Sequence, residues 1–307
     1  MSKKFFKPAA LLLAAGLILG LCGYAAAENS APIAQNLELS TYRGVSVGGR
    51  LSATDPDGDA LSFQITTDPV KGSIDLDDDG HFVYTPESGK RGRDYFGYRA
   101  TDASGNRSQE ATVIIRIEKQ KSSLTYADMS GNSAAYAAQR LAEEGVFTGE
   151  ILAGQAVFAP DTPVSRSEFL AMCMAVAGKA PAVKTGSTGF ADDADIPVWA
   201  KPYVSAALTE GIISGYADRD SSAVFAPNDG ISVTEAAVIL DRSVRLTDAV
   251  AAWFGFDEAV PAWAKQSAAN VASCGLLPEG CSFSDGSLTR AQAAEMLCGA
   301  MDVLAAR

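Results

Sequence analysis

The sequence predicts a multidomain protein, in which an N-terminal antiparallel β-sandwich precedes a C-terminal, all-α, pseudo-threefold bundle of three helix–loop–helix repeats. Two observations predict this fold class. Short runs of β-branched and aromatic residues, separated by turn residues, fill residues 29–119. Beyond them the chain repeats itself with a period of roughly 65 residues. One repeat is too small to bury both of its helices, so the three copies should pack together, and three copies can close around a common axis.

Residues 1–27 have the pattern of a secretory signal peptide. Lysines open the segment, residues 9–21 are apolar, and the alanines at 25–27 offer a cleavage site. A lipoprotein site at Cys22 would need a small residue where Leu21 stands, so lipidation is not expected. No later stretch is long and apolar enough to span a membrane. The sequence therefore predicts an exported protein with no membrane span after signal cleavage.

The composition restricts the classes of partner. The chain has 25 Lys and Arg against 37 Asp and Glu residues, for a formal net charge of −12. Removal of three signal-peptide lysines lowers this charge by three, to −15. A strongly acidic protein is not expected to bind nucleic acid or anionic lipid. Any acidic ligand would have to be held by a few locally placed cations.

Histidine and cysteine give no indication of catalysis. The single histidine, His81, lies in a hairpin-like segment, so no Ser/His or Cys/His set can be assembled, and we do not expect an enzyme. Cys274 and Cys281 flank a short loop and could pair, but the spacing of the cysteines fits no metal motif. Buried thiols are the plainer interpretation of these two and of Cys173 and Cys298.

The N-terminal region has the alternation of a half-buried sheet. Val113, Ile115 and Ile117 would share one buried face, and residues 77–80 mark a tight hairpin turn. The predicted strands are 61–65, 81–84, 95–100 and 111–117.

Two acidic loops of this region are candidate calcium ligands. Asp55, Asp57 and Asp59 crowd one loop, and Asp102 lies in a comparable loop. Carboxylates so close in sequence repel one another unless they are solvated or bridged by a cation. Calcium is therefore a candidate ligand, and a solvated acidic turn is the alternative. The sequence requires no other cofactor.

Several segments of this region closely resemble the cadherin-like, immunoglobulin-type repeats of bacterial surface proteins. They are residues 53–61, 71–73, 82–86, 94–96 and 98–102. The resemblance covers nearly all of residues 31–118. It implies a β-sandwich with the Asp-rich loop as the candidate calcium region, and it does not imply catalysis.

The three C-terminal copies follow a polar linker, residues 119–123, and occupy residues 124–182, 188–247 and 252–307. Each contains a hydroxyl residue followed three places later by Glu or Gln, which is the capping box of a helix start. The boxes are Ser165–Glu168, Ser232–Glu235 and Thr289–Gln292. Earlier in each copy an aspartate follows an aromatic residue, and we predict helix or turn caps at Asp128, Asp192 and Asp257.

Arg166 and Arg290 follow the hydroxyl residue directly in two copies. The helix dipole disfavours a cation in the first turn, so folding alone does not account for them. A guanidinium beside the free N–H groups of a helix start is a good receptor for a carboxylate or a phosphate. A solvated arginine paired with a nearby aspartate is the alternative. Repetition of the arginine favours a binding site.

The same repeats resemble S-layer homology domains, most specifically from residue 190 to residue 230. The resemblance lies in Phe-Ala-Asp, Trp-Ala, Gly-Ile-Ile-Ser-Gly-Tyr, Phe-Ala-Pro and the Ser/Thr-Arg-x-Glu/Gln helix start. It implies a pseudo-threefold helical trimer and non-covalent binding to a secondary cell-wall polysaccharide, often a pyruvylated one, at the cell surface or S-layer. The binding residues that it implies are Arg166 and Arg290 with Ser165 and Thr289, the loop glycines Gly149 and Gly215, and the groove tryptophans Trp199 and Trp263.

Three departures from that pattern lead us to expect at least one weak groove. Val233 stands where an arginine is expected, Tyr136 replaces a tryptophan, and the loop at residues 275–280 is altered. The expected function is wall anchoring, with the sandwich as a spacer or as a contact for other surface proteins. The alternatives are an anchored polysaccharide hydrolase, although no separate domain remains to hold its carboxylate pair, and an S-layer lattice subunit.

Overall fold

The computed structural model describes residues 29–183, 186–217, 221–256, 260–278, 280–284 and 286–307. The predicted signal peptide at residues 1–27 and the predicted cap Asp257 lie outside the described residues. Within them, the N-terminal part consists of strands and the C-terminal part is mainly helical, as the sequence predicts. The described part of the chain contains no helix with the length and apolar character to cross a membrane.

Two packed sheets form the N-terminal module. A four-stranded sheet has the order β2–β9–β8–β5, a three-stranded sheet has the order β3–β7–β6, and β1 pairs with β4. The strands are β1 (Ile33–Ala34), β2 (Leu37–Tyr42), β3 (Val47–Arg50), β4 (Ala53–Thr54), β5 (Ser62–Thr67), β6 (Gly72–Leu76), β7 (His81–Pro86), β8 (Gly92–Thr101) and β9 (Ala111–Glu118). Each predicted strand overlaps one of these, with ends that differ by at most three residues.

One strand pairing differs from the prediction. β2 pairs with β9 in parallel, so the expectation of a wholly antiparallel sandwich is wrong at this edge. The other strand pairs of the module are antiparallel. Hairpin turns impose the antiparallel direction on neighbouring strands. β2 and β9 are far apart in sequence and no turn connects them, so turn chemistry does not set their direction.

The core of the sandwich lies between its two sheets. Val113, Ile115 and Ile117 are all buried, as their alternation predicts. Phe82 of one sheet meets Phe96 of the other edge to face, with ring centroids 5.2 Å apart. Apolar burial of this kind is the main stabilising contribution to such a module.

The C-terminal region contains three pairs of helices. They are α1 (Ala135–Glu143) with α2 (Arg166–Val176), α3 (Lys201–Thr209) with α4 (Val233–Val244), and α5 (Lys265–Ser273) with α6 (Arg290–Ala305). A short hairpin separates the helices of the first pair, β10 (Glu150–Leu152) with β11 (Gln155–Val157), and another those of the second, β12 (Tyr216–Ala217) with β13 (Ala223–Val224). A 3-10 helix, Ala251–Phe254, precedes the third pair. The sequence predicts the hairpins only as loops, because their strands are too short to show alternation.

The starts of α2, α4 and α6 are linked in a closed ring of backbone hydrogen bonds. Val164 N donates to Leu288 O at 2.9 Å, Leu288 N to Ile231 O at 2.8 Å, and Ile231 N to Val164 O at 3.0 Å. All three side chains are buried. Each of the three helices then begins with a complete capping box, as predicted. The three helix starts therefore lie around one point.

The sandwich contacts the helical region at the start of α1. Gly48 N donates to Ser133 O, and Tyr136 N donates to Ser46 O, each at 3.0 Å. A Cβ atom on Gly48 would lie 2.7 Å from Ser133 Cβ. The two backbones are therefore too close to admit any side chain at Gly48.

Candidate ligand grooves

Arg166 projects from the start of α2 towards the second helix pair. Its guanidinium lies over the ring of Tyr216, 4.5 Å from the centroid, and 5.4 Å from that of Phe225. Glu235 Oε1 is 3.7 Å from Nη1, which is beyond hydrogen-bonding distance. Nε and Nη1 are buried and have no hydrogen-bond partner among the described residues. A buried guanidinium with unmet donors favours the approach of an anion.

This guanidinium lines an open cavity of about 250 Å³, which we call the Arg166 groove or Arg166 cavity. Trp263, 56% exposed, contributes an aromatic surface from the third helix pair. Arg242 adds a second cation and donates from Nη1 to Ile212 O at 3.3 Å. The carboxylate of Glu235, the acidic side chain among the described lining residues, accepts from Tyr216 Oη. The described lining therefore carries more positive than negative charge, beside an aromatic face.

Arg290 is the counterpart of Arg166 at the start of α6, but its surroundings differ. Nη2 donates to Glu150 Oε1 at 2.8 Å and Nη1 donates to Phe158 O at 3.3 Å. Glu168 Oε1 lies 3.8 Å from Nη2, and the ring of Phe147 lies 5.3 Å from the guanidinium. The adjoining cavity is about 10 Å³, about the smallest volume that can hold one water. This cavity is too small for a sugar.

The third groove faces the sandwich. Val233 is buried and offers no charge at the start of α4. Tyr136 lines a cleft of about 780 Å³ between the helical region and strand β3. Counted from the capping boxes, Glu295 and Gly299 in this cleft replace Val238 and Arg242 of the Arg166 cavity. The exchange removes a cation and adds a carboxylate, so this groove does not favour an anion.

The other predicted binding residues have structural roles that account for their presence. The Ser165 and Thr289 hydroxyls accept from the backbone N–H groups three residues later, which completes the capping boxes. Gly149 and Gly215 adopt φ of +67° and +76°, where a Cβ atom would lie 2.5 Å from Val157 O and from the Phe190 ring. Gly215 also lines the Arg166 cavity.

Trp199 lies away from the cavity at Arg290, whereas Asp128 and Asp192 form caps. Trp199 is 51% exposed and does not line the small cavity at Arg290. Asp128 accepts from the backbone N–H groups of residues 158 and 159, and Asp192 accepts from those of residues 225 and 226. These two aspartates therefore cap turns before α2 and α4, as predicted.

Sequence patterns missed Arg242 and Tyr216. Arg242 lies seven residues after Glu235 on α4, which places both on one helix face. Tyr216 follows the left-handed Gly215, in the position that Glu150 takes after Gly149. Aligning the copies on their glycines would have revealed that an uncharged tyrosine in one copy corresponds to a glutamate in another.

The acidic loops of the sandwich cap their own turns. Asp55 Oδ1 accepts from Asp57 N at 2.9 Å and from Asp59 N at 3.2 Å. Asp102 Oδ1 accepts from the backbone N–H groups of residues 104 and 106. No group of three or more His, Cys, Asp or Glu residues that could hold a metal is found in the part of the chain that is described. The four aspartates are therefore not gathered around one point.

The N-terminal residues nevertheless connect the two loops. Asn29 Nδ2 donates to Asp102 Oδ2 at 3.2 Å, and Ser30 N donates to Asp57 Oδ2 at 2.7 Å. Asn29 Oδ1 and Asp55 Oδ2 are buried and have no hydrogen-bond partner among the described residues. Carbonyl and carboxylate oxygens are the ligands that calcium prefers. The donor types at this end of the sandwich thus fit calcium, although the predicted cluster of four carboxylates does not form.

Two of the cysteines fit the prediction of inert thiols. Cys173 and Cys298 are buried. Burial raises the pKa of Cys298 to about 11 and that of Cys173 well above its usual value. Neither thiol will ionise near neutral pH, so neither will be a reactive nucleophile.

Sequence comparison matches two domain families to separate parts of the chain. Residues 29–119 match the bacterial cadherin-like domain, and residues 189–236 match the S-layer homology domain. The N-terminal sheets described above agree with the first match. The S-layer homology domain indicates a protein associated with the cell surface or cell wall, and it suggests non-covalent anchoring there. No curated protein matches the chain.

Three solved structures each resemble about a third of the chain. An endo-fucoidan hydrolase of glycoside hydrolase family 107 is 20% identical over 32% of this chain and 15% of its own, with a TM-score of 0.25. Drosophila N-cadherin EC1-4 is 12% identical over 29% and 25%, with a TM-score of 0.24. The SrpA adhesin of Streptococcus sanguinis is 19% identical over 32% and 64%, with a TM-score of 0.24.

Proposed function

We propose that this protein attaches non-covalently to an acidic, pyruvylated secondary cell-wall polysaccharide, and that the Arg166 groove is the principal site. One observation carries the proposal. The Arg166 guanidinium has unmet buried donors and lines an open cavity that also contains Arg242 and Trp263. The net charge of the protein is strongly negative, yet this cavity is locally cationic and has an aromatic side chain in its wall. An acidic glycan supplies both of the chemical groups that such a cavity accepts.

In this proposal each groove residue has a distinct task. Arg166 forms charge-assisted hydrogen bonds with the pyruvyl carboxylate. Arg242 attracts the same charge, and Trp263 offers its ring to the apolar face of a sugar. Tyr216 supports the guanidinium with its ring and engages Glu235 with its hydroxyl. Because Glu235 is occupied in this way, it competes less for Arg166.

The proposal includes three S-layer homology units arranged around a pseudo-threefold axis. The ring of hydrogen bonds that joins residues 164, 231 and 288 supports this arrangement. Three complete capping boxes at equivalent places support it further. The units would be residues 124–182, 188–247 and 252–307, and the family match at residues 189–236 covers most of the middle one.

The sandwich would act as a spacer or adhesion module, and calcium would bind near Asn29 and Asp55. The signal peptide would direct export, and its cleavage would release the mature protein to reach the wall. We propose binding and not catalysis, because the polar groups that line the Arg166 groove contain one described carboxylate and no carboxylate pair. An assay for release of reducing sugar from wall polysaccharide separates this function from an anchored hydrolase. A lattice subunit would instead assemble into sheets visible by electron microscopy.

Purified cell walls provide the test. We expect the protein to co-sediment with walls that carry pyruvyl groups and to remain in solution with walls from which mild acid has removed them. Failure to bind untreated walls would refute anchoring. Equal binding to both preparations would refute recognition of the pyruvyl carboxylate while leaving wall attachment intact.

A further inference from the structure

We propose that Glu150 keeps the Arg290 groove closed, by placing its own carboxylate where the Arg166 groove receives the carboxylate of its ligand. This inference rests on the proposed function of the Arg166 groove. It assigns to Glu150 the role of a specificity-determining residue, which restricts binding of acidic ligands to one of the two arginine-bearing grooves.

The two grooves are built on the same local structure. Gly149 and Gly215 both have left-handed φ values, and each is followed by the first residue of a two-stranded hairpin. That residue is Glu150 in one hairpin and Tyr216 in the other. Glu150 pairs with Val157 and Tyr216 pairs with Val224 across the hairpins. The two side chains thus start from equivalent backbone positions and extend towards equivalent arginines.

The capping-box glutamates do not explain the difference between the grooves. Glu168 lies 3.8 Å from Arg290, and Glu235 lies 3.7 Å from Arg166. Each glutamate also accepts a hydrogen bond from the backbone N–H group of its own N-cap residue, so both have the same role in a capping box. Because these distances match, the exchange of Tyr216 for Glu150 is a difference in direct contact with the two guanidinium groups.

The exchange changes the charge around the arginine. At Arg166, the aromatic ring of Tyr216 leaves the guanidinium charge uncompensated by a hydrogen-bonded carboxylate. At Arg290, Glu150 and Glu168 place two carboxylates around one cation, and Phe158 O accepts a further hydrogen bond. An incoming acidic group would meet like charge there.

Glu150 is nevertheless suited to substitution. Its side chain is 56% exposed, so removing its charge does not leave a cavity in the core. Glu150→Gln keeps the shape and removes the charge, and Glu150→Tyr reproduces the residue of the open groove. Gln155→Tyr is a matched control, because it places the same ring on the same hairpin, opposite Leu152.

The experiment follows the Nε–Hε NMR signals of Arg166 and Arg290 during titration with sodium pyruvate, against sodium chloride at equal ionic strength. In the unmodified protein and in Gln155→Tyr we expect the Arg166 signal to shift and the Arg290 signal to stay. In Glu150→Gln and Glu150→Tyr both signals should shift, with an apparent affinity at Arg290 at least about tenfold higher than before. A pyruvate-dependent Arg290 shift in the unmodified protein, or none in either Glu150 variant, would overturn the inference.

A second measurement separates this inference from the proposed function. Calorimetric titration with a pyruvylated disaccharide should give one site in the unmodified protein and two in Glu150→Tyr. A single site in both proteins contradicts the role of Glu150 and leaves the Arg166 groove intact. Absence of sugar binding in every variant contradicts the proposed function, whereas the Arg290 response to pyruvate still decides whether Glu150 closes its groove.

Discussion

The ring of Tyr136 packs on the ring of Tyr42, with centroids 5.3 Å apart, and this pair joins the helical region to strand β2 of the sandwich. The equivalent residues of the other two helix pairs are Trp199 and Trp263, which are both more than half exposed. Tyr136 therefore serves as a contact between modules. The groove that lacks an arginine at its helix start is the one that carries the sandwich.

Gly48→Ala should loosen this contact. The new methyl group would meet Ser133 Cβ at 2.7 Å, so the backbones must separate and both hydrogen bonds between the modules should weaken. Hydrogen exchange at the Tyr136 amide should accelerate, and small-angle scattering should show a larger radius of gyration. Gly186→Ala is the control, since nothing lies within 4 Å of a Cβ atom there. Unchanged exchange at Tyr136 would show that the contact tolerates the methyl group.

Arg166 and Arg290 should differ in their importance for wall binding. Arg166→Ala removes charged hydrogen-bond donors worth about 1.5–3 kcal/mol, so affinity for pyruvylated walls should fall roughly ten- to hundredfold. Arg290→Ala should change affinity by less than about threefold, because Glu150 already engages that guanidinium. Co-sedimentation measures both variants, with thermal melts to verify folding. Equal losses for the two variants would contradict the asymmetry between the grooves.

Acid should destabilise the sandwich through Asp94. Burial favours a higher pKa for Asp94, but hydrogen bonds from Tyr84 Oη and from the backbone N–H groups of Val70 and Lys71 outweigh it and hold the pKa below its usual value. As the pH falls, Asp94 is therefore protonated first in the unfolded chain, near pH 4. The stabilisation is complete above that pH and is lost as the pH falls through the folded-state pKa.

Asp94→Asn tests this dependence. At pH 7 the variant should lose about 1–3 kcal/mol of the free energy of unfolding, and below pH 4 its melting temperature should fall less steeply than that of the unmodified protein. Asp75→Asn, on the exposed side of β6, should behave like the unmodified protein. Parallel pH profiles for Asp94→Asn and the unmodified protein would contradict the assignment.

Calcium should stabilise the sandwich if Asn29 Oδ1 and Asp55 Oδ2 are its ligands. Millimolar calcium chloride should raise the melting temperature of the unmodified protein, and Asp55→Asn should abolish the increase. Asp77→Asn is a matched control, because Asp77 caps a similar turn through two backbone hydrogen bonds. The hypothesis fails if calcium has no effect on the unmodified protein, or if it stabilises Asp55→Asn equally.

Local patterns in the sequence predicted those features that neighbouring residues determine. A capping box is recognised from two residues three positions apart, and the buried face of β9 from the alternation of apolar and polar residues. Both were predicted correctly. The ion pair of Glu150 with Arg290 joins side chains 140 positions apart. Neither segment alone predicts this contact, because it forms only when separate helix pairs pack together. The parallel pairing of β2 with β9 escaped prediction for the same reason.

The ring of hydrogen bonds at residues 164, 231 and 288 also determines how far this chain can be shortened. Each segment both donates one bond and accepts one, so deleting any helix pair removes two of the three bonds and uncovers two apolar side chains at the centre. The second helix pair has Val233 and not an arginine at the start of α4. Without this pair, however, Arg166 would lose Tyr216, over whose ring its guanidinium lies. A minimal wall-binding fragment must therefore retain all three copies, even if a single groove does the binding.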